Sequence, residues 1–195
     1  MRVVVVFAHP APDGFGRAIF DTVTRSATAA GHEVRGLDLY ELGFRAAMTA
    51  DERRAYHERQ PSIDDALQPH VDAVRWAQVL VFVYPTWWSS MPAIMKGWLE
   101  RVLVPGVGFV FDERRRVRPG LRHIERIVGI STYGGSWPTT RLVNDNGRRI
   151  VMRALRISTG VRTHGTWLAL YGMDDASDAK RSAFLRRCER AVSAW

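Results

Sequence analysis

The chain has 195 residues, of which 46% are hydrophobic and 25% are charged, a balance that excludes a disordered chain. Its formal net charge is +8, and Lys96 and Lys180 are the only lysines among 28 basic residues. A single cysteine, Cys188, excludes an intramolecular disulfide and a zinc site built from thiolates, and it favours a reducing cytoplasm.

The length predicts one domain over residues 1–195. No stretch approaches the ~18 uncharged apolar residues of a membrane span, and the N-terminal apolar run ends at His9-Pro10 without the features of a secretory signal. The arginines are scattered, and the densest run, 114–118, lies beside glycine and proline as a loop does. We therefore expect no nucleic-acid partner.

The first predicted strand, residues 2–8, is a continuous β-branched run typical of strands buried on both faces. A loop of small residues leads from it into a helix predicted over 14–30. Such a loop at a helix N-terminus is a ready anion site, because its N–H groups are free and the helix dipole is positive there. The candidate residues in this loop are His9, Asp13, Gly14, Phe15 and Gly16.

This first loop does not carry a complete nucleotide motif. Ile19 occupies the third glycine position of the dinucleotide-binding fingerprint, and no phosphate-loop motif is present. The alternative is that Gly14 and Gly16 only shape a tight turn.

The next elements are a strand over 33–39, a weakly periodic segment over 40–62 that predicts a short helix outside the sheet, a helix over 63–76 and a buried strand over 78–84. The loop after that strand has an unusual composition, and a helix over 92–102 follows it. The candidate residues in the loop are Pro85, Thr86, Trp87, Trp88 and Ser89.

The adjacent tryptophans Trp87 and Trp88 are hard to explain as core, since neighbouring side chains point in different directions. Aromatic side chains at a strand end stack well on a planar ring system. The alternative places one tryptophan in the core and the other at a subunit contact.

The remaining elements are a loop over 105–119 with a hairpin at 108–111, strands over 126–132 and 163–170, and helices over 141–157 and 176–194. The strand over 126–132 ends in a third loop of interest. Its paired glycines permit close backbone contact, and its hydroxyls can form hydrogen bonds. The candidate residues are Thr132, Tyr133, Gly134 and Gly135.

Strands and helices thus alternate along the chain, which predicts an α/β fold: a doubly wound, five-stranded parallel sheet with helices on both faces. Ligands bind such sheets beyond the carboxyl ends of the strands. The three loops therefore form one rim, with a phosphate end, an aromatic middle and a glycine-lined far side. This rim predicts a flavin nucleotide, FMN or the longer FAD.

These residues resemble a known family. The sequence from Pro85 to Val102, with its Pro-Ala-Ile-x-Lys-Gly-Trp segment, together with His9-x-x-Pro12 and Thr132-Tyr133-Gly134-Gly135, is similar to the NAD(P)H:quinone oxidoreductase family of flavodoxin-like flavoproteins. This family includes ancillary flavoproteins of potassium-efflux systems. The resemblance spans about residues 2–172 and implies a flavodoxin-like fold.

The resemblance implies a cytoplasmic, homodimeric enzyme that takes two electrons from NAD(P)H and passes them to a quinone-like acceptor through a flavin. The alternative is a regulatory or ancillary subunit of a membrane transporter with little turnover. A dehydrogenase of this type needs no catalytic nucleophile and no metal, and the histidines have no metal-binding spacing. Apart from His9 in the first loop, they are His32, His57, His70, His123 and His164.

The resemblance also implies the roles of the three loops. The first would hold phosphate and ribityl chain, the second the flavin ring and its N5/O4 edge, and the third the pyrimidine side. Trp88 and Tyr133 are the candidate catalytic residues. The first loop departs from the family, which usually has Ser-Phe-Asn where this chain has Gly14-Phe15-Gly16, and Arg17 is a candidate replacement. The chain length favours FMN over FAD, and the choice between NADH and NADPH stays open.

Overall fold

Five parallel strands form the central sheet of the computed structural model, which describes residues 1–56 and 63–195. The strand order in the sheet is β2-β1-β3-β6-β7, which confirms the predicted doubly wound α/β architecture. A separate antiparallel hairpin is formed by β4 and β5. The strands are β1 (Arg2–Phe7), β2 (Glu33–Asp38), β3 (Val79–Pro85), β4 (Phe109–Phe111), β5 (Val117–Pro119), β6 (Arg126–Tyr133) and β7 (His164–Tyr171).

Two hydrophobic cores lie on opposite faces of the sheet, because successive side chains of a strand point to opposite sides. Val3 and Val5 pack with the helices that follow β1 and β7, whereas Val4 and Val6 pack with the helices before and after β3 and with the helical segment after β6. The helices are α1 (Phe15–Ala29), α2 (Ala50–Ala55), α3 (Gln68–Trp76, after a 3-10 turn at Asp65–Leu67), α4 (Ala93–Val102), α5 (Trp137–Leu142), α6 (Asn146–Arg149), α7 (Arg156–Thr159) and α8 (Asp178–Ser193).

The single helix predicted over 141–157 is wrong. Helix α5 begins earlier, at Trp137, where the side chain of Ser136 accepts a hydrogen bond from the Thr139 amide. The chain then leaves the helical path at Asn144 and Asp145, whose φ angles are 79° and 44°. Asn and Asp enter this left-handed region more readily than other non-glycine residues, so the break is local in origin. It is followed by α6, a π-helical turn at Ile150–Ala154 and α7.

The segment between β2 and α3 contains the expected short helix, α2. Its N-terminus has a capping box in which Thr49 and Glu52 satisfy each other's backbone N–H groups. The buried Arg101 of α4 donates to the Glu52 carboxylate at 2.6 Å, which joins this segment to α4. His57 and the rest of residues 57–62 lie outside the described residues.

Cys188 is fully buried in α8, as expected of a packed thiol, and burial raises its pKa to about 12. Within residues 1–56 and 63–195, no helix is long and apolar enough to cross a membrane.

Candidate functional site

The three loops singled out in the sequence lie side by side at one edge of the sheet, because β1, β3 and β6 are adjacent parallel strands. The ring centroids of His9, in the first loop, and Trp87, in the second, are 6.1 Å apart. The backbone N–H of Thr86 donates to the carbonyl of Thr132 at 2.7 Å, joining the second loop to the third. Residues far apart in sequence thus meet at this edge.

Two neighbouring cavities open along this edge. They adjoin because Pro85 and Thr132 line the first, and the next residues along the chain, Thr86 and Tyr133, line the second. The first, of about 120 Å³, is lined by His9, Phe15, Gly16, Ile19, Val83, Tyr84, Pro85, Thr132 and Met173. The second, of about 210 Å³, is lined by Thr86, Ser89, Tyr133, Gly134, Gly135, Thr139, Thr140 and Val143. Of the predicted site residues, Asp13, Gly14, Trp87 and Trp88 lie outside both linings.

The first loop presents an uncapped helix N-terminus to the first cavity. Gly14 is the N-cap of α1 and offers no side-chain acceptor, whereas Ser136 and Ser177 cap α5 and α8. The first N–H groups of a helix have no partner within the helix, so those of α1 are available to an anion. A Cβ on Gly16 would lie 3.3 Å from the His9 ring, so glycine permits this close approach.

The ring of His9 is oriented by its own loop. Its Nδ1 accepts a hydrogen bond from the Ala11 N–H at 3.1 Å. In a neutral imidazole that arrangement leaves the proton on Nε2, which can then donate to a ligand.

Two charged side chains of the first loop do not serve the anion site. The Asp13 side chain is exposed and lies outside the cavity linings. Arg17, the candidate replacement for the missing polar groups, instead pairs with Asp38 at 2.5 Å. Its guanidinium also lies over the rings of Phe7 and Phe20, 5.3 Å from each centroid. The expected role of Arg17 is therefore not supported, and the groups that this loop leaves available to an anion are backbone N–H donors and His9.

The second loop is a tight turn held in a strained conformation. The backbone groups of Trp87 and Ser90 are hydrogen-bonded in both directions, at 2.9 and 3.0 Å. Between them, Trp88 and Ser89 have φ angles of 48° and 59°, a left-handed region that costs about 1–2 kcal/mol per non-glycine residue. The Trp88 side chain is fully exposed at the tip. The start of α6 also holds this turn, since the Asn146 N–H donates to the carbonyl of Ser89.

The third loop supplies backbone donors to the second cavity. Among the described residues, the N–H groups of Gly134 and Gly135 have no protein acceptor. A Cβ on Gly134 would lie 2.6 Å from Oδ2 of Asp174, the end of an exposed side chain that would have to turn aside. The absence of a side chain thus keeps this backbone accessible.

A buried polar cluster lies beneath the second and third loops. Tyr133 is 2% exposed, and its hydroxyl donates to Oδ1 of Asp145 at 2.9 Å. Burial, and then the negative charge of Asp145, raise the pKa of Tyr133 far above its usual range. Burial likewise raises the pKa of Tyr84, whose hydroxyl has no hydrogen-bond partner among the described residues. Both phenols therefore keep their protons at neutral pH.

The sequence analysis did not identify Asp145 as part of this buried polar cluster, because it placed the residue inside a helix. The signal that could have found it is the run Asn144-Asp145-Asn146-Gly147, whose residue types favour turns.

The residues present fit a planar heterocycle with a phosphate tail. The free N–H groups at the N-terminus of α1 suit a phosphate, and those of Gly134 and Gly135 suit the carbonyl oxygens of a ring. The exposed indole of Trp88 lies at the rim between these two ends. Within the described chain, no cluster of three or more histidine, cysteine, aspartate or glutamate side chains could hold a metal ion.

Comparison with known proteins gives a consistent result. A model of the family described as having a flavodoxin-like fold matches residues 1–190. A solved NAD(P)H:quinone oxidoreductase from Methanothermobacter marburgensis superposes with a TM-score of 0.86 at 28% identity, covering 99% of this chain and 98% of that one.

Two curated relatives match a large part of the chain. An uncharacterized NAD(P)H oxidoreductase of Haemophilus influenzae is 34% identical over 137 residues, 70% of this chain and 66% of its own length. A ribosyldihydronicotinamide dehydrogenase-like protein of Penicillium crustosum is 29% identical over 157 residues, 69% of this chain and 58% of its own length. The chain thus spans less than two thirds of either relative.

Proposed function

Because the chain belongs to the family with the flavodoxin-like fold, we propose that it is a flavin-dependent oxidoreductase that transfers two electrons from NAD(P)H to a quinone or a similar acceptor. The observation that carries this proposal is the pair of adjoining cavities at the carboxyl ends of β1, β3 and β6. The names of the similar proteins from Methanothermobacter marburgensis and Haemophilus influenzae support it.

The three loops divide the binding of the flavin between them. The uncapped N-terminus of α1 and His9 would hold the phosphate, residues 85–89 would hold the ring, and the N–H groups of Gly134 and Gly135 would meet its pyrimidine carbonyls. We favour FMN over FAD, because the first loop supplies one phosphate site at one helix N-terminus. A bound flavin would supply the two-electron chemistry between NAD(P)H and the acceptor.

The chain's own residues position the flavin and stabilise its charge. N–H donors at the pyrimidine edge stabilise the negative charge that develops there on reduction, because they are fixed before the reaction begins. Tyr133 keeps its proton and holds the end of β6 through Asp145. Trp88, at the rim, is placed to cover an aromatic acceptor. Catalytic roles for Trp88 and Tyr133 stay predictions.

We also propose a homodimer in the cytoplasm. Large apolar side chains beside the site are exposed, and such patches mark contact surfaces. They are Trp88, Trp137, Leu142 and Val143. Nothing in the site or the comparisons supports the alternative of a transporter subunit.

The test is the absorption spectrum of the purified protein and the mass of any cofactor released from it. We expect yellow protein that releases FMN and oxidises NADPH or NADH when a quinone is added. Gly134→Ala should weaken flavin binding, because Gly134 lines the second cavity and a methyl group there narrows it, whereas Gly165→Ala on β7, outside both cavities and with an ordinary 3.4 Å contact, serves as the control. Colourless protein that binds neither FMN nor FAD and is inert with a quinone would overturn the proposal.

A further inference from the structure

A separate cavity of about 240 Å³ lies against the segment that follows β6, and arginines dominate its lining. It is lined by Arg141, Asn144, Asp145, Arg148, Arg149, Met152 and Arg153. We propose that this arginine cavity binds the phosphate-bearing nucleotide end of the reductant and selects NADPH over NADH through its 2′-phosphate. This inference rests on the proposed function and names the donor that the proposed function leaves open.

The charges in the arginine cavity are only partly balanced by the protein. Within the described residues, none of its four arginines forms a salt bridge, whereas Arg17, Arg101 and Arg118 elsewhere each pair with a carboxylate. The one acidic residue in the lining is Asp145, and one of its oxygens already accepts the Tyr133 hydroxyl. The cavity is therefore strongly positive and favours an anion.

The local backbone brings these like charges together. Arg149 and Arg153 are four residues apart, a spacing at which equal charges destabilise a helix. The π-helical turn Ile150–Ala154 lies across this stretch, and such turns occur frequently at functional sites. An anion bound in the cavity would offset the repulsion.

The arginine cavity shares a wall with the second cavity of the candidate flavin site. Thr139, Thr140 and Val143 line the flavin side of this wall. Arg141, Asn144 and Asp145, from the same stretch of chain, line the arginine side. The proposal requires one dinucleotide to extend across this wall, with its nicotinamide over the flavin and its other end on the arginines.

The size and chemistry of the arginine cavity together indicate which part of the dinucleotide it would bind. Pockets for whole drug-sized ligands measure about 300–1,000 Å³, so this cavity is suited to one phosphate-bearing sugar rather than to a dinucleotide. The planar fork of arginine matches phosphate oxygens and forms strong, charge-assisted hydrogen bonds. On its adenosine ribose, NADPH carries a 2′-phosphate where NADH has a hydroxyl. The arginines would therefore bind the group whose charge distinguishes the two reductants.

The direct test is a binding titration with adenosine 2′,5′-bisphosphate, followed by intrinsic tryptophan fluorescence or calorimetry and requiring no turnover. We expect the bisphosphate to bind more tightly than 5′-AMP, with an affinity that falls as salt is raised. Arg149→Gln and Arg153→Gln should each weaken it about tenfold, as expected for the loss of a charge-assisted contact. Arg162→Gln, an exposed change of equal charge outside the cavity, should leave it unchanged.

The kinetic test is the ratio of kcat/KM for NADPH to that for NADH, which should exceed one and should fall in Arg149→Gln and Arg153→Gln. The inference is overturned if the two variants bind the bisphosphate as the parent does, or if inorganic phosphate competes as strongly as the bisphosphate. A chain that binds flavin and reduces quinones but gives either result would retain the proposed function and lose this inference. A chain without flavin that still binds the bisphosphate through these arginines would lose the proposed function, and with it the reductant role of the cavity, and keep only a nucleotide-binding site.

Discussion

The hydroxyl of Tyr133 donates a 2.9 Å hydrogen bond to Oδ1 of Asp145, while Oδ2 of that buried carboxylate has no partner among the described residues. This pair joins the end of β6 to the break between α5 and α6. It also lies between the candidate flavin cavity and the arginine cavity, since Tyr133 lines one and Asp145 the other.

Removing the donor of this pair should destabilise the fold. We expect Tyr133→Phe to lower the free energy of unfolding by about 1–3 kcal/mol, because it leaves a buried carboxylate without its hydrogen bond. Urea unfolding at neutral pH measures the loss. Adding Asp145→Asn to Tyr133→Phe should recover part of it, since a neutral amide is less costly to bury. A loss below about 0.5 kcal/mol would show that solvent already satisfies Asp145.

Stability should fall at alkaline pH. The pKa values of Tyr84 and Tyr133 are raised in the folded chain, chiefly by burial, so the unfolded chain loses these protons first. Their contribution is fully present below the ordinary tyrosine pKa of about 10 and is lost as the pH rises above it. Above about pH 10, each phenol should lower the free energy of unfolding by about 1.4 kcal/mol for every pH unit.

Urea midpoints between about pH 8 and 11 test this prediction. Tyr84→Phe and Tyr133→Phe should each make the decline shallower, whereas Tyr40→Phe, at an exposed position, is the control. An unchanged slope in both buried variants would contradict it.

The strained turn of the second loop should make a polar substitution stabilising. Asn tolerates a φ of 48° better than Trp, so Trp88→Asn should raise the free energy of unfolding by about 0.5–1 kcal/mol. The same change should reduce kcat/KM for a quinone severalfold, because the exposed indole is lost. Trp137→Ala, another exposed tryptophan beside the site, is the control for stability. A loss of stability in Trp88→Asn would mean that the indole is held by contacts.

Two glycines in neighbouring strands should respond differently to the same change. A Cβ on Gly129 would lie 2.1 Å from the Trp167 ring, whereas one on Gly165 would meet Met152 at an ordinary 3.4 Å. Gly129→Ala should therefore cost about 1–3 kcal/mol through overpacking, and Gly165→Ala much less. Thermal unfolding of both variants decides this, and equal melting temperatures would contradict it.

The five strands of the parallel sheet were predictable because their signal is local and strong. The β-branched run Val3–Val6 and the equivalent runs in β3 and β6 favour buried parallel strands, and the geometry of such sheets places the loops at their carboxyl ends. The break after α5 was not predicted, because the apolar spacing on either side of Asn144 continues through it. The sequence indicates this break only through the turn-favouring residue types at 144–147.

The partners of the site residues depend on tertiary contacts that periodicity does not contain. Gly147 allows α6 to approach β3, where a Cβ would lie 3.1 Å from the Tyr84 hydroxyl, and this approach brings Asp145 beneath the site. The arginine cavity is built from one short stretch, 141–153, but its shape follows from the break at Asn144 and the π-helical turn, which helical periodicity does not contain. The pairing of Arg17 with Asp38 likewise follows from the packing of α1 against β2.

The joining of Thr86 to Thr132 means that the rim forms only after β3 and β6 have paired in the correct register. A slip of one residue would turn every side chain to the opposite face and separate the loops. A molecule that occupies the rim therefore recognises only chains that have finished folding, and its binding shifts the equilibrium towards them. Resistance to proteolysis should consequently increase with the supply of that molecule.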